Sequence, residues 1–171
     1  AGSDWSSDVC SSDLITVNSS NGDLWVGGVA GNAGNGRRMV GMGNEGDIDV
    51  TTTNASNTIY VGGIRGFVNG QINKNGSVLN YNKGNVSVTT SAKTTYVGGV
   101  ASLDGATSVR ASNSGNVTYT YTGEASTAVK VYASLGIASR SGSTATEEGT
   151  YSGTVTLNNT SGITANCGLL Y

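Results

Sequence analysis

Histidine and proline are absent from this 171-residue chain, and charge is scarce. Without histidine, no nucleophile–His–acid relay can be assembled. With two cysteines and no histidine, no Cys/His metal set can form either. Charged residues make up 12% of the chain and the formal net charge is −2. That removes the electrostatic case for nucleic acid or an acidic membrane as partner. Arg37-Arg38 is the one adjacent basic pair and reads as a solvated turn. No apolar run approaches the roughly 20 residues of a membrane-spanning helix. Aromatics are few, as in disordered chains, but those chains are usually rich in charge and proline. Here charge is scarce and proline absent, and Val, Ile, Tyr and Thr alternate in short runs, which favours β structure.

What the chain does have is 27 glycines and a repeat. Trp25-Val26-Gly27-Gly28-Val29-Ala30-Gly31 comes first. Tyr60-Val61-Gly62-Gly63-Ile64-Arg65-Gly66 follows 35 residues later, and Tyr96-Val97-Gly98-Gly99-Val100-Ala101-Ser102 after another 36. A degraded copy starts at Tyr132, 36 residues on, and reads as carrying one extra residue around Ser134-Leu135. A fixed period in this range is the mark of stacked coils. The expected fold is all-β, a parallel β-solenoid of about four coils, with 35–36 residues and three short strands per coil. A rise of one strand spacing per coil makes a rod about 20 Å long.

The Tyr-Val-Gly-Gly-Val run is the first expected strand. A second is less regular, in Arg38–Met42, Ser77–Tyr81 and Ser108–Ala111. The third alternates strictly. Successive strand side chains point to opposite faces. Ile15, Ile48, Val86, Val117 and Val155 should therefore form one inward column, and Val17, Val50, Val88, Tyr119 and Leu157 a second. Thr16, Asp49, Ser87, Thr118 and Thr156 should face out.

Before that strand comes a turn: Asn44-Glu45-Gly46, Asn82-Lys83-Gly84, Asn113-Ser114-Gly115 and Tyr151-Ser152-Gly153. Glycine suits positive φ and asparagine bonds its own turn. Stacked, the asparagines should form a ladder that Tyr151 breaks, with Glu45 and Lys83 as ion-paired neighbours. The paired glycines suit a bulge that lets both flanking apolar residues face inward. A phosphate-cradling loop would need a following helix, and no helical periodicity follows any Gly-Gly.

Residues Asp4-Trp5-Ser6-Ser7-Asp8-Val9-Cys10-Ser11-Ser12-Asp13-Leu14 are similar to the translation of a common short-read sequencing adapter. On that resemblance residues 1–14 are a non-native segment, and Cys10 and Trp5 carry no biological information. Residues 15–171 then form a single repeat domain, expected to be an internal piece of a longer protein. Cys167 stands alone, and no disulfide with Cys10 is expected.

The pattern aromatic-Val-Gly-Gly-Val/Ile-Ala-Gly, then Asn-x-Gly-Asn/Asp-Ile/Val-x-Val, resembles the GLUG-type repeats of large bacterial surface and secreted proteins. The resemblance covers residues 15–171. It implies a parallel β-solenoid at the cell surface or outside the cell, without cofactor.

Three functions follow as expectations. The first is a non-catalytic structural or adhesive module, more often a passive stalk than a surface touching an extracellular glycan or protein. Tyr81, Tyr119 and Tyr121 could stack on sugars, though alternating aromatics are more often core. The second is a β-helix carbohydrate-active enzyme, which needs convergent carboxylates. Asp23, Glu45, Asp47, Asp49, Asp104, Glu124, Glu147 and Glu148 are scattered. Only Asp47 and Asp49 can share a strand face, about 7 Å apart. The third is ice binding by outward threonines such as Thr118, Thr120 and Thr122. No catalytic, cofactor-binding or metal-binding residue is expected. Open coil edges without proline also lead us to expect end-to-end self-association.

Overall fold

The computed structural model describes residues 15–19, 22–33, 40–53, 58–68, 71–72, 79–103, 107–139 and 145–168. The segment 1–14, Arg37-Arg38, Ser77-Val78 and Asp104 lie outside the described residues.

The chain winds as a parallel β-solenoid with four faces. The first face carries the Val-x-Val strands: β1 (Ile15–Ser19), β5 (Ile48–Thr52), β10 (Val86–Thr90), β14 (Val117–Tyr121) and β18 (Val155–Asn158). The aromatic face carries β2 (Leu24–Gly27), β6 (Thr58–Gly62), β11 (Thr94–Gly98), β15 (Lys130–Ser134) and β19 (Thr164–Gly168). The third face carries β3 (Ala30–Ala33), β7 (Arg65–Val68), β12 (Ala101–Leu103) and β16 (Ile137–Ser139). The asparagine face carries β4 (Gly43–Asn44), β9 (Asn80–Asn82), β13 (Thr107–Asn113) and β17 (Ala145–Glu148), with β8 (Gln71–Ile72) also pairing with β13. Every pairing is parallel, and each joins one coil to the next. Four successive circuits result, β2–β5, β6–β10, β11–β14 and β15–β18.

Each coil thus has four strands where three were expected. The difference arises at the paired glycines. They make a corner between two strands, not a bulge within one. A Cβ on Gly62 would strike the carbonyl oxygen of Arg65, and one on Gly98 that of Ala101. The chain folds over so tightly that only hydrogen fits. Val61 accordingly enters the main core, while Ile64 enters a separate cluster with Val100, Ala101, Ala111 and Ile137. After the corner the third face lies flat on the aromatic face. A Cβ on Gly66 would meet the backbone of Val26.

The Val-x-Val face obeys the alternation. Ile15, Ile48, Val86, Val117 and Val155 are in register, as are Val17, Val50, Val88, Tyr119 and Leu157. In β5, β10 and β14 both columns are buried; at β1 and β18 they are half-buried. They pack on Val26, Ile59, Val61, Val97, Val131 and Ala133 from the aromatic face. Each fully buried aliphatic side chain contributes about 1.5–3 kcal/mol. The outer positions of the aromatic face stack as well. Tyr60 and Tyr96 rings are 5.1 Å apart at 5°, and Tyr96 and Tyr132 4.9 Å apart at 8°. Trp25 adds a more distant ring, 6.3 Å from Tyr60.

Three details differ from the sequence expectations. The asparagine-face strands end later than expected, at Asn44, Asn82 and Asn113, so the asparagines end strands; Thr107–Asn113 contains the expected Ser108–Ala111. The fourth coil carries no extra residue and no bulge at Ser134-Leu135. Thr94 to Leu103 pair with Lys130 to Ser139 at one constant offset. The register slip falls instead between β7 and β12. Finally, Gly46, Gly84, Gly115 and Gly153 do not have positive φ; among described glycines only Gly22, Gly41 and Gly162 do. Their reason is stacking. A Cβ on Gly84 would collide with the carbonyl of Gly46, and one on Gly115 with that of Gly84.

Candidate functional site

Two side-chain ladders run along the solenoid, and they determine which polar groups are left for partners. In the buried ladder, Asn44 Nδ2 donates to Asn82 Oδ1 at 2.7 Å, and Asn82 Nδ2 to Asn113 Oδ1 at 2.7 Å. Each amide also donates to the carbonyl two residues on, at Gly46, Gly84 and Gly115, all at 2.8 Å. The expected asparagine ladder is present and stops at Tyr151, which continues the stack by a backbone bridge to Asn113.

The exposed ladder was not anticipated. Asp47 Oδ1 accepts from the Asn85 N–H at 2.7 Å and from its amide at 3.1 Å. Asn85 Oδ1 accepts from the Asn116 N–H at 3.1 Å, and Asn116 Oδ1 from the Thr154 N–H at 3.0 Å and hydroxyl at 2.9 Å. Each side chain caps a backbone donor that the turn would otherwise leave without a strand partner. The signal was visible as the Asp or Asn that precedes Ile48, Val86 and Val117.

This placement bears on the acid pair. Asp47 is occupied by Asn85, whereas Asp49 faces out of β5 between Thr16 and Ser87. Asp23 accepts from the Thr58 N–H, and Glu148 lies 3.8 Å from Arg110. Glu124 is exposed in the loop before β15. Of these, only Asp47 and Asp49 lie on one segment, and Asp47 there is held by Asn85 just before β5 begins. Among the described residues no group of three metal-ligating side chains forms.

The three tyrosines part ways. Tyr119 is fully buried in the main core beside Thr95, and burial pushes its phenol well up; the Thr95 hydroxyl alongside opposes this without meeting hydrogen-bond geometry. Tyr121 is buried and its hydroxyl donates to the Glu124 carbonyl at 3.0 Å. Tyr81 alone reaches the surface. Its hydroxyl donates to Glu45 at 3.4 Å, and Lys83 Nζ lies 5.1 Å from its ring and 2.6 Å from Glu45. The Glu45–Lys83 pair is the one expected. The Lys83 hydrogen bond and charge hold the Glu45 carboxyl below its ordinary value, and Glu45 raises Lys83 in turn.

Among the described residues, the outer side of the Val-x-Val face is open to partners. One outward column reads Thr16, Asp49, Ser87, Thr118, Thr156, and the next Asn18, Thr51, Thr89, Thr120, Asn158. Rows repeat at about 4.8 Å and columns at about 6.8 Å. Asp49 is the one charge among these positions. Asn158 donates to the Thr120 hydroxyl at 3.2 Å. Thr122 falls just past the end of β14.

No family model matches the chain, and neither a curated protein nor a solved structure does.

Proposed function

We propose that the chain is a non-catalytic structural and adhesive module of a bacterial cell-surface or secreted protein, similar to GLUG-type repeats, whose Val-x-Val face contacts an extracellular glycan. The observation that carries this reading is the regular, nearly uncharged array of hydroxyls and amides on that face. An extended neutral polysaccharide offers hydroxyls at a comparable repeat and needs no counter-charge. The ladders support the scaffold role, since they use the polar groups of the turns to hold coil on coil.

The test is sedimentation of the protein with insoluble glycans: cellulose, chitin and peptidoglycan. Binding that falls about tenfold or more in Thr89→Lys or Thr120→Lys, with melting unchanged, is the expected result; tenfold is about 1.4 kcal/mol. Binding indifferent to both substitutions overturns the glycan surface. Soluble sugar released by the wild type but not by Asp49→Ala would select a carbohydrate-active enzyme instead. Thermal hysteresis lost in the same lysine variants would select ice binding.

A further inference from the structure

One side chain inside the solenoid is at odds with its surroundings. Arg65 is fully buried in β7, and its Nε, Nη1 and Nη2 have no hydrogen-bond partner. Its register neighbours are Ala30 in the coil before and Ala101 in the coil after, and Ile137 follows Ala101. Ala101 and Ile137 belong to the second apolar cluster, with Ala30, Val29 and Met42 packed against it. A methyl stripe is thus interrupted by one guanidinium.

That arrangement cannot stand alone energetically. Guanidinium stays protonated in proteins and presents five N–H donors in a fixed fork. A buried charge without a counter-charge is strongly destabilising. Asp23, Asp47, Asp49, Glu124 and Glu148 are exposed, and Glu45 is paired with Lys83. None meets Arg65. Water would satisfy donors but leave the charge unbalanced.

We infer that a small inorganic anion of the halide class is held inside the second coil against the guanidinium of Arg65. The ligand must be negative to balance the charge and a pure acceptor to suit the fork. It must be small because the guanidinium is fully buried beside Ala30 and Ala101 of the second apolar cluster. The single-methyl neighbours Ala30 and Ala101 leave the room that Ile137 would take two coils away. The site is independent of the outer glycan face.

The experiment compares thermal melting in sodium chloride, sodium bromide and sodium gluconate at one ionic strength. Gluconate is too large to enter. Wild-type protein is expected to melt higher in chloride and bromide, rising with the logarithm of halide concentration above its dissociation constant. Arg65→Ala repeats the residue of both flanking coils and should fold; its melting should be the same in all three salts. Arg65→Met keeps the length of the side chain and should behave likewise. Crystals grown in bromide should show an anomalous peak within hydrogen-bonding distance of the Arg65 nitrogens. Equal salt responses in wild type and both variants, or bromide crystals with no peak there, would overturn the site. Either result leaves the glycan reading untouched, because Arg65 is not on that face.

Discussion

The first three coils and the fourth build the same corner from different residues. In the first three, the second glycine of the pair faces the asparagine of its own coil: Gly28 with Asn44, Gly63 with Asn82, Gly99 with Asn113. A Cβ at any of these glycines would collide with that amide. In the fourth coil the corner reads Ser134-Leu135 and the ladder position holds Tyr151. Leu135 packs against the main core, and Ser134 Oγ accepts the Gly136 N–H at 2.9 Å. The two changes occur together. Removing the amide removes the reason for the glycine, and the freed space takes an apolar side chain. The glycine pair is thus the partner of the asparagine ladder, not a separate motif.

The largest expected effect separates inner coils from the fourth by burial. Val86 is completely buried, whereas Val155, its column mate, is half-buried. Val86→Asp would place an unpaired carboxylate in the core and should cost about 3–5 kcal/mol. Val155→Asp should cost clearly less, and Ser87→Asp, on the outer side, about 0.5 kcal/mol or less. Chemical denaturation of the three variants measures this. Similar losses in all three would mean that the alternation is misassigned.

Next comes the corner itself. Gly99→Leu should cost about 3 kcal/mol or unfold the protein, because both the Asn113 amide and the Leu135 carbonyl block the side chain. The reverse change in the fourth coil, Leu135→Gly, should cost only about 1–2 kcal/mol, from lost burial and added backbone freedom. If Gly99→Leu melts like wild type, steric exclusion by the ladder is not what fixes the glycine.

These comparisons also show what was readable from the residues. The Val-x-Val columns were legible because a two-residue period acts within one strand. The Asn-x-Gly ladder was legible because its spacing follows that strand. The corner was not, since the role of Gly63 depends on Asn82, a residue nineteen positions away, and on the Gly99 carbonyl of another coil. The same holds for the small column Gly31, Gly66, Ser102, Ala138. Its sequence signal, a small residue two after Val29, Ile64 and Val100, is intelligible only once two faces are known to pack flat. Nor could the surface role of Tyr81 be told from the core role of Tyr119, for both alternate with polar residues.

A smaller effect tests whether ladder and corner are coupled. Tyr151→Asn should be destabilising alone, because Leu135 occupies the amide's space. Combined with Leu135→Gly it should recover part of the loss, with a coupling of about 1 kcal/mol or more. Additive losses in the double mutant would mean that the two departures of the fourth coil are independent.

The smallest effect concerns a contact that only the first two coils possess. The turn position reads Glu45, Lys83, Ser114, Ser152, so one ion pair joins coils one and two and nothing charged continues it. Both groups are exposed, so the pair should move the melting temperature little, and less still in high salt. Its signature is in titration. Glu45 is depressed when folded, so its contribution is present above the unfolded carboxyl value, and it is lost as pH falls through the folded value. Lys83 is raised when folded, so its contribution is present below the unfolded lysine value, and it is lost as pH rises through the folded one. Between those limits, across neutral pH, the pair is fully formed. Lys83→Met should therefore move the Glu45 carboxyl upward in an NMR titration, leaving only the weaker Tyr81 hydrogen bond to depress it. Lys83→Met should leave the melting of the fourth coil, followed by hydrogen exchange at Val155 and Leu157, unaltered. An unchanged Glu45 titration would mean that the two turns are not stacked as described.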